Sequence, residues 1–441
     1  MRNTLILISA LTAGSQLAAF CKLWFTARIF GLSTELDAYN LVLTLPTLVS
    51  GVISGVLQTG LFPVRAKLNL IASPEGVASF ERSILVGVLV IGSAVLVLLM
   101  LSVPVAPRLL AASASESTRQ SAAIAFPWLI MLAPLSILGD CSGYLLAMRN
   151  RFAVAAAAPI ANGVFGATLF AIWPTGGFTN LITGTLVGML IQVTICMIGL
   201  HVSGLKIFGE LMPKKELFMH WHEISKLGIK ILPAVVVANI LSALPPLWLS
   251  RFGEGAISAF GYAYRLHMSA VQLIIMAGTT VILAEFSELV ARNNNAAIRS
   301  VIFKATIVSA IVGGSAFIAV FVCGAQVLSL LFGGRFDLNV ATRVTEHWSW
   351  LTFGMPFIIF SNVLAKLWQA QRRPLMMSIL GMVNLVVLLL SFPFLQAWIG
   401  EFSVAMALSL GTIVMALLGF MVTWKSIRSD DQDVHNPNIG L

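Results

Sequence analysis

Apolar stretches about as long as a helix needs to cross a bilayer core recur along the whole chain, separated by short polar connections. They fall at 5–27, 38–62, 83–106, 123–147, 152–173, 181–203, 226–249, 257–284, 301–323, 346–368, 375–397 and 402–424. Within each stretch the apolar residues run on instead of alternating at every second position, so the pattern predicts helices and argues against a barrel. The fold class expected is an all-α polytopic membrane protein with about 12 transmembrane helices.

The pattern also repeats. At a constant offset of 222 residues Trp128-Leu129 meets Trp350-Leu351, Pro134 meets Pro356, Ile137 meets Ile359, Asn162 meets Asn384, and Phe30-Gly31 meets Phe252-Gly253. With a one-residue slip, Asp37-Ala38-Tyr39 falls on Ser258-Ala259-Phe260. Six spans in each half, an even number, give the halves one orientation. Two parallel six-helix lobes, related by a pseudo-twofold axis along the membrane normal and enclosing a central cavity, are expected. The domains read as an N-terminal lobe at 1–203, a cytoplasmic linker at 204–225 forming a surface amphipathic helix, a C-terminal lobe at 226–425 and a disordered cytoplasmic tail at 426–441.

Charge sharpens the topology. Only 10% of the 441 residues are charged, yet the net charge is +9. Of 27 basic residues, nineteen lie on the connections sharing the side of the N-terminus, six on the opposite side, and two, Lys22 and Arg265, inside spans. Such a bias puts both termini in the cytoplasm and explains the net charge without nucleic acid. Tryptophans such as Trp24, Trp128, Trp173 and Trp398 stand near span ends, where an amphipathic ring prefers the interface. Cys21, Cys141, Cys196 and Cys323 sit in apolar runs without metal-ligand spacing and read as packing residues, not disulfides. His220 and His222 flank Trp221 in the linker; two such ligands alone make a poor metal site.

No Ser/His/Asp set, phosphate-cradling Gly-rich loop or HExxH motif is found, so a transporter is expected rather than an enzyme. The informative residues are intramembrane charges. Lys22 and Arg265 each lie about eight residues, roughly 12 Å, from the outer end of a span. Either they snorkel to the interface, or, one from each half, they face one cavity and hold an anion. A diphosphate would suit them, since Arg binds two phosphate oxygens at once and Lys adds a point charge. Their partners at the 222 offset are Leu244 and Leu43, so the cations are not a by-product of the repeat. Arg28, Asp37 and Asp140 are candidates for gating, counter-charge or ion coupling. Asp37 is a counter-ion or a helix N-cap, with the cap favoured by its place at a helix start. Asp140 is a partner for a cation or proton, or is bonded to a neighbouring helix. Pro46, Gly51, Pro134, Pro233 and Pro245 are candidate hinges, because proline removes a helix hydrogen bond.

The stretches Ala27-Arg-Ile-Phe-Gly31, Asp37-Ala-Tyr39, Leu45-Pro46, Gly261-Tyr-Ala-Tyr-Arg-Leu266 and Leu331-Phe-Gly-Gly-Arg-Phe336 resemble those of the MurJ/MviN family of lipid II flippases, within the multidrug/oligosaccharidyl-lipid/polysaccharide exporter superfamily. The resemblance runs from the first span to the last. It implies outward translocation of an undecaprenyl-diphosphate-linked saccharide by alternating access, with Lys22 and Arg265 at two of the cavity positions that grip the diphosphate. It implies a monomer in the bacterial inner membrane, in contact with membrane lipid and working beside cell-wall or polysaccharide biosynthesis proteins. No cofactor or metal is implied beyond a coupling cation or proton. The family's second helix usually carries an arginine after Leu-Pro, where this chain has Ser50-Gly51. An acidic residue usually follows the eighth-helix arginine, where this chain has His267-Met268. Family members commonly have two further C-terminal helices. The alternatives are a flippase for an exopolysaccharide or O-unit precursor, a multidrug/cation antiporter, and a membrane glycosyltransferase or polymerase.

Overall fold

A computed structural model describes residues 2–292, 294–371, 373 and 375–435. The helices, in order, are α1 (Arg2–Phe30), α2 (Thr34–Ile71), α3 (Pro74–Leu101), α4 (Ala106–Leu110), α5 (Glu116–Leu129), α6 (Leu132–Met148), α7 (Phe152–Ile172), α8 (Gly177–Val202), α9 (Lys214–Leu249), α10 (Ala256–Ala291), α11 (Asn295–Phe332), α12 (Leu338–Phe353), α13 (Met355–Ala370), α14 (Leu375–Ile399) and α15 (Ser403–His435). Every apolar stretch of the sequence falls on one of these helices or on one bent pair. By length and composition, seven helical stretches among the described residues can cross a membrane, or nine when each bent pair counts as one span; the stretch Leu375–Lys425 itself holds α14 and most of α15.

The bent pairs show the internal repeat in backbone form. α5 meets α6 at 43° and α12 meets α13 at 41°. Glu116 and Met148, the outer limits of the first pair, fall at the 222 offset on Leu338 and Ala370, the limits of the second. Pro134 and Pro356 follow the two breaks, in the first turn of the next helix, where a missing N–H costs least. The packing around them repeats too. A Cβ on Gly92 would stand 3.1 Å from that of Pro134, and one on Gly313 would strike the Pro356 backbone. Likewise Gly188 backs onto Asn162, and Gly411 onto Asn384. In lipid, close approach through small residues replaces the hydrophobic drive to pack helices.

Two compact units result: Met1–Ser258 with Phe332–Phe336, and Ala259–Leu331 with Asp337–Leu441. The linker expected at 204–225 is not a separate element. α9 starts at Lys214, runs unbroken to Leu249 and packs along α2 in the first unit. His220 and Trp221 belong to that packing, His220 edge-on to Phe80 and Trp221 against Gly87. The tail expected to be disordered from 426 continues α15 as far as His435; 436–441 lie outside the described residues.

The α2–α9 contact is a seam of glycines. Gly51 backs onto Asn239 Oδ1, Gly55 lies where a Cβ would be 2.6 Å from Val235 Cγ1, Gly60 meets the Ile224 carbonyl, and Gly228 receives Val56. Gly51 thus serves close approach, and α2 runs through it without a break. Gly60→Val is expected to lower stability by about 1–3 kcal/mol, because a branched side chain has to push the backbones of both helices apart. Thermal unfolding of the detergent-solubilised variant reads this directly.

At the end of these helices richest in basic residues, Glu81 of α3 is fully buried between two guanidinium groups. Arg65 Nε of α2 donates to Oε1 at 3.0 Å, and Arg149, just after α6, donates to Oε2 from Nε at 2.6 Å. Arg149 Nη1 also donates to the Ser203 carbonyl at 3.1 Å. Beside it, Arg82 donates to the Glu210 carbonyl at 2.8 Å and to Glu75 at 2.5 Å. The connection after α8 is thereby tied to α3 and α6.

Candidate substrate-binding site

Lys22 stands in α1 where its methylene stem crosses Gly166 of α7; a Cβ there would be 2.7 Å from Lys22 Cδ. The half-buried ammonium donates to Thr185 Oγ1 of α8 at 2.9 Å, and the same oxygen bonds Tyr39 of α2 at 2.7 Å. Thr185 itself donates to the Leu181 carbonyl at 2.7 Å, which leaves its lone pairs for Lys22. Four helices of the first unit thus fix the position of one cation. Thr185 and Gly166 carry no sequence signal for this role, whereas Tyr39 follows the Asp-Ala motif directly.

Asp37 does cap a helix, but not its own. Ser33 caps α2, accepting from Leu36 N–H at 3.3 Å. The residue 222 positions beyond Ser33 is Gly255, which has no side chain to cap α10. Asp37 supplies it: its buried carboxylate accepts from Gly255 N–H at 2.6 Å, Ser258 N–H at 2.7 Å and Ser258 Oγ at 2.5 Å. A carboxylate on orphan N–H groups at a helix N-terminus is also favoured by the helix dipole. Asp37→Ala is expected to cost about 2–3 kcal/mol, since buried donors lose a charged acceptor. Asp37→Asn should recover part of it, and both are measurable as shifts in thermal unfolding.

Arg28 joins the same neighbourhood. Its guanidinium lies 5.1 Å over the Trp24 ring, a cation–π contact, and its carbonyl accepts from Arg335 N–H at 3.1 Å. Gly31 (φ +55°) and Gly334 (φ +63°) permit this approach: a Cβ on Gly31 would be 2.8 Å from the Arg335 carbonyl and one on Gly334 2.6 Å from Arg28 Cγ. The motifs 27–31, 37–39 and 332–336 therefore pack in one unit, where Arg28 contributes through its main chain as well as its side chain.

Arg265 belongs to the second unit. It is exposed on α10, off the buried face that carries Ala259, Phe260, Ala263 and His267. Asp140 lies half-buried in the middle of α6, beside Ser54 of α2. Of the remaining hinge candidates, Pro46, Pro233 and Pro245 lie inside unbroken helices, while Pro134 follows the 43° break.

The chain shares its fold with solved transporters. It superimposes on "Lipid II flippase MurJ, inward closed conformation" with a TM-score of 0.80 at 20% identity, covering 95% of this chain and 87% of that one. It matches an inward-facing multidrug resistance MATE family transporter of the MOP superfamily with a TM-score of 0.80 at 15% identity, covering 97% and 99%. Fold and apolar spans define an all-helical multi-pass membrane protein. Residues 26–438 match the family model described as lipid II flippase MurJ, and the chain belongs to that family. Among its relatives, "Probable lipid II flippase MurJ" of Rhizobium meliloti (strain 1021) is 26% identical over 297 residues, 64% of this chain and 54% of that protein. The protein of the same description from Rickettsia prowazekii (strain Madrid E) is 22% identical over 400 residues, 86% of this chain and 75% of its own length.

Proposed function

We propose that the protein is a flippase that moves an undecaprenyl-diphosphate-linked saccharide, lipid II in the first place, from the cytoplasmic to the outer leaflet of the bacterial inner membrane by alternating access. The observation that carries this reading is Lys22, an ammonium set within apolar sequence and held in place by the hydroxyl of Thr185. A phosphate group at that ammonium gains a charge-assisted contact worth about 1.5–3 kcal/mol. Arg265 is the second diphosphate ligand in this reading, suited to bidentate contact. Family membership supports the substrate class, and the positive-inside distribution supports cytoplasmic termini. Outward movement of an anion is favoured by about 2.3 kcal/mol per charge per 100 mV when the cytoplasm is negative. The protein acts as a monomer beside the enzymes that build and polymerise the precursor.

One observation favours the second reading, a flippase for an exopolysaccharide or O-unit precursor. Asn239 Oδ1 occupies the space a side chain on Gly51 would take, so an arginine at position 51 would have to displace Asn239. Depleting the protein in its native host and assaying lipid-linked sugars on the cytoplasmic leaflet tests both. Accumulated lipid II with lysis is the expected result. Normal growth with loss of a surface polysaccharide assigns it to that pathway instead.

A further inference from the structure

Asp140 is the acidic residue of α6, eight residues from Met148 and thus about 12 Å from the helix end at 1.5 Å per residue. α6 packs against α2, α3, α7 and α8. None of these brings a basic residue to its depth. α2 has no ionisable residue between Tyr39 and Arg65, α3 none after Arg82, α7 none between its ends, and α8 only Cys196 before His201. On α6 itself the titratable neighbours are Cys141 and Tyr144. The nearest acid and bases along α2 and α3, Glu81, Arg65 and Arg82, are committed to the ion pairs described above.

A second group points at the same place. Ser54 of α2 is 5% exposed, and its Oγ, which makes no hydrogen bond of ordinary geometry, stands close enough to the Asp140 carboxylate to interact with it. Buried hydroxyls ordinarily find a partner. An ionised carboxylate in hydrocarbon without a cation is costly as well. The hydroxyl can donate to the ionised carboxylate, and a bound proton removes the buried charge and lets the acid donate to Ser54 Oγ in its turn.

We propose that Asp140, with Ser54, is the site at which this protein binds a proton in its transport cycle. The carboxylate takes up the proton and the resulting O–H donates to Ser54 Oγ; no other bond changes. A metal cation would require a shell of oxygen ligands, and among the described residues no group of three His, Cys, Asp or Glu side chains is placed to supply one. The position also gives the proton leverage. Ser54 lies between Gly51 and Gly55, the residues through which α2 packs on α9, so deprotonation places a bare charge behind the glycine seam. Only the coupling to transport rests on the flippase reading; the proton site itself does not.

The test uses the full-length protein in proteoliposomes. Infrared difference spectra across a pH titration are expected to show a protonated-carboxyl band that Asp140→Asn removes, Asp140→Glu keeps and Ser54→Ala shifts in frequency or in midpoint. A band unchanged in Asp140→Asn overturns the site. Translocation of a fluorescent undecaprenyl-diphosphate-linked saccharide under a one-unit pH gradient is expected to change by about tenfold, the bias one proton can carry, and this response is lost in Asp140→Asn and kept in Asp140→Glu. A gradient response that survives in Asp140→Asn overturns the coupling, and a sodium gradient that drives the native protein but not Asp140→Asn replaces the proton by a metal cation. If the native protein moves no such lipid while the infrared band behaves as expected, the flippase reading fails and the proton site stands.

Discussion

Replacing Glu81 by glutamine is expected to destabilise the protein by about 3–5 kcal/mol, the usual cost of removing one partner from a buried ion pair. The reason is the two guanidinium groups that share it. Arg65 and Arg149, each with a side chain only 15% exposed, would then face each other across a neutral amide. Glutamine keeps the shape but can accept through one oxygen only, so one arginine loses its acceptor and the two like charges repel. The loss should fall on the whole of the first unit, since α2, α3, the end of α6 and the Ser203 carbonyl all meet there. A large fall in the thermal unfolding midpoint, shared by Arg65→Gln and Arg149→Gln but smaller in each, is the expected pattern. An unchanged midpoint for Glu81→Gln would show that the triad contributes nothing net.

The second large effect is on transport. Lys22→Ala and Arg265→Ala are each expected to reduce translocation by about 10- to 150-fold, because a charge-assisted contact to phosphate is worth about 1.5–3 kcal/mol. Membrane insertion should be intact in both. Arg265→Lys should retain some activity, as the point charge survives while the bidentate contact does not. The assay is movement of an undecaprenyl-diphosphate-linked saccharide into the outer leaflet of proteoliposomes, normalised to protein inserted. Full activity in the double alanine variant would remove the diphosphate clamp from consideration.

Much of the fold could be read from local pattern alone. The twelve apolar windows each land on a helix or a bent pair, and the prolines at 134 and 356 mark the two breaks. The 222-residue offset predicts even the limits of the two bent pairs, because duplicated sequence carries the same bends. Where the halves have diverged, the sequence misleads. Ser33 and Gly255 occupy equivalent places, and only the structure shows that Asp37 makes good the missing cap. α9 reads as the start of a second lobe because its periodicity is apolar, yet its face with Ile224, Gly228, Val235 and Asn239 packs on the glycines of α2. Periodicity tells which residues avoid water; in lipid it does not tell which helix they meet. The position of Lys22 was legible as an energetic anomaly, but its Thr185 partner, 163 residues away, was not.

The Asp37 bond also sets a timetable for biogenesis. The carboxylate enters the membrane with α2, and Gly255, whose N–H it accepts, is made 218 residues later. At about 5–20 residues per second, ribosomal synthesis separates the two by roughly 10–40 s. The turn at 332–336 that closes on Arg28 comes later still. Until synthesis reaches Gly255 the donors at the start of α10 do not exist, and the glycine face of α2 stays uncovered until α9 has been made. The first unit is therefore complete only after α9, the start of α10 and the 332–336 turn have all been inserted.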